Sequence, residues 1–199
     1  MGISMDLSPA QLRDLLRETL ADPQAAARRL IADNPPMEAR WLGLAVVVVL
    51  SVLIGQASFL AMGAGEAGLA IGVGGSAVLH GGVLLVVVWA AYKVGQVFGG
   101  TGSFPDAVLL ISWLQFMMVV LQFIQLLTLF ILPPLSGLIG LLAVAAFLWV
   151  LTNFVAVLHG FESLGRVFAM IIVTFMAIVF AVAFVLALFG VQAPGAGNA

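Results

Sequence analysis

From Trp41 onward the chain alternates long apolar runs with short polar or glycine-rich breaks. Runs at 41–62, 77–98, 106–132, 135–158 and 166–189 each reach the length of about 20 apolar residues that a membrane-crossing helix needs. The breaks at 63–76 and 99–105 are rich in Gly, and 159–165 carries His159 and Glu162, with Arg166 directly after it. Only Pro133-Pro134 divides the third run from the fourth. A single helix over 106–158 would be roughly 80 Å long, against a hydrocarbon slab of about 30 Å. The chain must therefore turn back at the two prolines, which cannot continue a helix. Residues 190–199 form a short Gly/Pro-containing tail.

The first 40 residues follow a different rhythm. Ser8 can cap a helix that has Pro9 at its first position. Leu12, Leu15, Leu16 and Leu20 then share one face, with Arg13, Asp14, Arg17 and Glu18 on the other. Asp22-Pro23 repeats the start signal, and a second helix gathers Ala26, Leu30 and Ile31 before Pro35-Pro36 ends it. Two readings stand for this arm. It packs on the bundle, or it lies on the lipid as an interfacial element. It is too charged and too long to be the start of a signal peptide.

Composition fixes the class. Hydrophobic residues make up 63% of the 199, charged residues 8%, and mean hydropathy is +1.24. Soluble domains sit near about 45–50% and 25%. The expected fold is an all-α integral membrane bundle of five transmembrane helices over 41–189, preceded by the amphipathic segment 1–40. Eleven of the sixteen charges lie in that segment. All seven basic residues, Arg13, Arg17, Arg28, Arg29, Arg40, Lys93 and Arg166, fall in or beside 1–40, 99–105 and 159–165. The intervening breaks and the tail carry none, so the positive-inside rule predicts N-terminus inside and C-terminus outside. With no Cys there is no thiolate chemistry, and a net charge of −2 offers no field for nucleic acid.

Few polar side chains lie within the runs. Gln115, Gln122 and Gln125 fall on one stripe of the third helix. By rise per residue, Gln56, His80, Gln122 and Gln125 share one depth, and Gln115 and Asn153 another. They serve as interhelical hydrogen bonds, or alternatively as a polar path for an ion or small solute. Ser136, Gly140 and Ala143 form a small-residue stripe suited to close helix contact. His80 has no second ligand at metal spacing, Glu66 reads as a solvated loop charge, and no catalytic triad is legible. Neither a metal nor a cofactor is expected. His159 ends the fourth helix, where it caps the helix or reaches the interface. Lys93, four residues short of the second helix's end, is expected to form a charge cluster with Asp106, Glu162 and Arg166, pairing with one of the two acids.

Two short motifs complete the pattern. Gly99-Gly100-Thr101-Gly102-Ser103-Phe104 opens the third helix, and Leu158-His159-Gly160-Phe161-Glu162-Ser163-Leu164-Gly165-Arg166 leads into the fifth. The first is a tight turn rather than a phosphate cradle, since no GK[ST] ending follows. With a polar N-terminus and five spans, these motifs resemble the Yip family, named for proteins interacting with Rab-type GTPases, and in particular its bacterial branch. The resemblance covers roughly 41–189, and the run from Asp22-Pro23 to Arg28-Arg29-Leu30 is similar to N-termini of bacterial members. The eukaryotic signature Asp-Leu-Tyr-Gly-Pro is absent. The resemblance implies a non-enzymatic protein of a bacterial cytoplasmic membrane, organising membrane or acting as an adaptor. Its partners would be lipid and another membrane protein or a second copy of itself. A small transporter or channel built on the glutamine stripe is the alternative.

Overall fold

The computed structural model describes residues 8–63 and 72–188. Glu66 and the tail 190–199 lie outside the described residues. The elements are α1 (Pro9–Ala21), α2 (Pro23–Asp33), α3 (Met37–Ala61), α4 (Gly72–Val97), α5 (Phe104–Ile131), α6 (Pro133–His159) and α7 (Leu164–Leu188). The last five are long and apolar enough to cross a membrane, and the described residues form a helical bundle without strands.

The boundaries follow local chemistry. Ser8 Oγ accepts from Gln11 N–H and Asp22 Oδ1 from Ala25 N–H, each ahead of a proline in the first turn. Leu132, in an extended conformation, is the one residue between α5 and α6, and Pro133 starts α6. The chain reverses there: Gln125 Nε2 donates to Ser136 O at 3.2 Å, and Gly140 faces the Gln125 amide across the hairpin. Gly160, at φ +72°, ends α6, and Phe161 N–H reaches back to Ala156 O.

The largest departure from the sequence reading is at one boundary. The second span begins at Gly72 instead of residue 77. Glycine weakens helices in water, yet within a bilayer the backbone must satisfy itself, and the helix extends. The five added residues set His80 about 7–8 Å deeper than the shorter span would.

The core occupies one half of the bundle. Buried positions run over Arg40–Gln56 of α3, Ala107–Val119 of α5 and Val150–His159 of α6. Toward the hairpin end, Phe123, Ile124, Phe130, Ile131, Leu141 and Leu142 are exposed. α7 contributes one fully buried apolar side chain, Val167, among its described residues. The arm packs on this same half. Leu15, Ala26, Ala27 and Leu30 are buried, and α2 lies against α5 and α6. Trp113 Nε1 donates to Thr19 Oγ at 2.9 Å, and Gln24 Nε2 to Asn153 Oδ1 at 3.1 Å.

Candidate functional site

His159 is the hub of the closed end. Its ring is 3% exposed. Gly102 N–H donates to Nδ1 at 3.1 Å, so the ring proton sits on Nε2, which meets Ala91 O at 2.8 Å. Thr101 N–H reaches His159 O, and the ring stacks on Phe161 at 5.5 Å. A methyl group at Gly95 or Gly100 would overlap the imidazole. The expectation that His159 caps its helix or reaches the interface is thus corrected. Glycines on two neighbouring segments clear a pocket that seals it from the surface.

The glycine motif wraps this ring. Gly99, at φ +88°, turns the chain out of α4. Gly100 and Gly102 lie against His159. Ser103 caps α5 by accepting from Asp106 N–H, while its hydroxyl donates to Asp106 Oδ2. Phe104 packs on Trp41 and Tyr92, with ring centroids at 6.2 and 5.7 Å. Residues 99–104 and 159–160, two motifs in sequence, are one unit in space.

Beside this unit lies an ion pair that the sequence reading missed. Arg40 is 4% exposed, and its guanidinium is fully engaged. Nη1 donates to Asp106 Oδ1 at 2.8 Å, Nη2 to Asn34 Oδ1 at 2.8 Å and Nε to Pro35 O at 2.9 Å. The pairing of Lys93 with Asp106 or Glu162 does not form. Lys93 is exposed, 3.4 Å from Gln96 Oε1 and 4.9 Å from the Tyr92 ring centroid. The cause is competition: Arg40 holds the Asp106 carboxylate with a forked, buried donor that an ammonium on a flexible stem does not match. Among the described residues no acid lies within ion-pair distance of Lys93 or Arg166, and Glu162 is exposed without a basic partner. The signal for Arg40 was present: Asp106 in a first turn, and Arg40 as the basic residue opening the span parallel to it.

The intramembrane polar residues sort into two layers and two outliers. Gln115 Nε2 donates to Ser51 Oγ at 2.8 Å and meets His80 Nε2 at 3.2 Å, joining α3, α4 and α5. His80 therefore shares a level with Gln115 rather than with Gln122 and Gln125, because α4 starts earlier. The second layer is Gln56, whose Nε2 donates to Ser76 Oγ at 3.2 Å; Gln122 lies one heptad beyond Gln115 on α5. The side-chain oxygens of Gln56 and Gln122 are buried without a partner among the described residues. Gln125 belongs to the hairpin and Asn153 to the arm, which corrects the depth shared by Asn153 and Gln115 as a functional grouping. Among the described residues no cluster of three His, Cys, Asp or Glu side chains is placed to hold a metal.

Five long apolar helices joined by interior hydrogen bonds define a multi-pass membrane protein. The Yip1 domain model matches residues 17–186, nearly the whole described chain and part of the arm. The chain belongs to the Yip1 domain family. No curated protein and no solved structure matches it.

Proposed function

We propose that this protein is a non-enzymatic organiser or adaptor of a bacterial cytoplasmic membrane, with its N-terminal arm on the cytoplasmic side. The observation that carries the reading is the docked arm. A buried hydrogen bond from Trp113 Nε1 to Thr19 Oγ and a partly buried one from Gln24 Nε2 to Asn153 Oδ1 fix α1 and α2 on the bundle. Their charged face, with Arg13, Asp14, Arg17, Arg28 and Arg29, points away from it. A rigid polar platform beside largely lipid-exposed helices suits recognition of a partner protein or a second copy, with lipid around the rest. Photo-crosslinking from Arg17 and Arg28 positions in native membranes, read by mass spectrometry, tests this. A reproducible protein adduct is expected. Absence of adducts from both positions overturns the adaptor role.

A second reading is favoured by Gln56 and Gln122. Two buried carboxamide oxygens without partners among the described residues cost free energy unless they meet a donor, and they lie on the same helices, α3 and α5, as the Ser51–Gln115 bond. A transporter or channel would show solute flux in liposomes that Gln122→Leu abolishes. Flux unchanged by that substitution removes this reading.

A further inference from the structure

Between α4, α6 and α7 lies an apolar slot of about 460 Å³. Val83, Val87 and Val94 of α4 form one wall, Leu148 and Leu151 of α6 the floor, and Met170 of α7 the start of the other wall. Lining residues reach from Val83 to Gly95 on α4 and from Val144 to Val155 on α6. At about 1.5 Å per residue the slot is roughly 17 Å long. Half of a hydrocarbon core is about 15 Å. The slot thus runs the depth of one leaflet, on the side of the arm and of His159.

Its chemistry and width select the occupant. The hydroxyl of Thr174, a lining residue, already donates to Met170 O at 2.7 Å, so it offers no donor to a phosphate or other anion. A helix segment about 10–12 Å across and about 17 Å long occupies on the order of 1,500 Å³, well above the roughly 460 Å³ of the slot, whereas a polymethylene chain fits. The mouth carries a charge. Arg166 lies one turn before Met170, on the α7 stripe that continues through Thr174 and Ile178. It is exposed, with no acid in ion-pair distance among the described residues. Glu162 lies four residues before it, in the loop that precedes α7, and is exposed. Lys93 stands at the same end, but its ammonium is at the Tyr92 ring, round α4 from the slot.

We propose that this slot holds one acyl chain of an anionic phospholipid, with the headgroup phosphate on Arg166. Acyl burial supplies affinity, and the guanidinium supplies headgroup preference. The inference deepens the membrane-organising function by naming its lipid class. It can fail while arm crosslinks persist, and the reverse, so the two are separable.

The test is native mass spectrometry of the full chain in detergent with phosphatidylglycerol or phosphatidylcholine added. Retention of phosphatidylglycerol at about fivefold over phosphatidylcholine is expected, the size one near-surface cation gives. Arg166→Gln should retain lipid but lose the preference. Thr174→Phe, which fills the slot without changing charge, should lose both. Lys93→Gln should keep both. A diazirine-bearing acyl chain on the unmodified protein gives a reading independent of variant folding. Its adducts should concentrate at Leu148, Leu151 and Met170 over the exposed Val179 and Phe180. The proposal is overturned by adducts spread evenly, by equal retention of the two lipids, by Lys93→Gln acting like Arg166→Gln, or by a retained second copy in place of lipid.

Discussion

His159 shows how much a single side chain can organise. Its ring bonds to α4 through Ala91 O and to the following turn through Gly102 N–H, and its own helix ends on it. Gly95 is required there by space rather than by backbone angle, since a Cβ would strike the ring. Gly95→Ala should therefore destabilise the protein in detergent by about 1–3 kcal/mol, the range for overpacking. His159→Ala should cost as much by stranding two backbone groups. Because the alanine at 159 frees the space, the double variant should lose clearly less than the two losses added, measured as thermal midpoints. Simple additivity would mean that the two residues do not share a pocket. The sequence shows Gly99–Phe104 as a turn and His159 as a helix end. It does not show that they meet, because nothing local in a chain reports which distant ring a glycine makes room for.

At the scale of elements, the spans were legible because apolar length is dictated by the bilayer, and the reversal because Pro133-Pro134 leaves no other place for it. What was not legible was lateral pairing. Lys93 drew attention as a charge inside an apolar run, yet it lies at the surface, while Arg40, which reads as one more juxtamembrane cation, is the buried partner of Asp106. Two predictions separate these roles. Asp106→Ala leaves the Arg40 guanidinium buried with a missing partner and should lower stability by about 3 kcal/mol. Replacing both, Arg40→Met with Asp106→Leu, should recover a good part of that. Lys93→Met should change the thermal midpoint by no more than about 0.5 kcal/mol in equivalent stability. A large loss at Lys93 with none at Asp106 would reverse the assignment. The docking of the arm was open for a related reason. Thr19 and Gln24 are ordinary helix residues until Trp113 and Asn153 are seen opposite them.

The whole molecule is asymmetric along the membrane normal. The arm, the His159 unit, the Arg40–Asp106 pair and the buried core share one half, while the hairpin half exposes aromatic and aliphatic side chains. All seven basic residues belong to the packed half: five in the arm and the start of α3, Lys93 near the end of α4, and Arg166 at the start of α7. The distribution matters because translocation is opposed by Lys and Arg close to a span, so the half that holds them should stay on the cytoplasmic side. Five spans then carry residue 189 to the opposite face. A phosphatase fused after Phe189 should be active only in the exported compartment, and a fluorescent reporter fused before Pro9 only in the cytoplasm. Phosphatase activity confined to the cytoplasm would require an even number of crossings. Since α5 and α6 meet at Leu132 with Gln125 bonded to Ser136 across the bend, the hairpin would then be the element that enters and leaves by one face. A second phosphatase fusion at Leu132 decides that point directly. Activity at Leu132 outside the cytoplasm establishes α5 as a full crossing, whereas its absence there assigns α5 and α6 to a re-entrant pair.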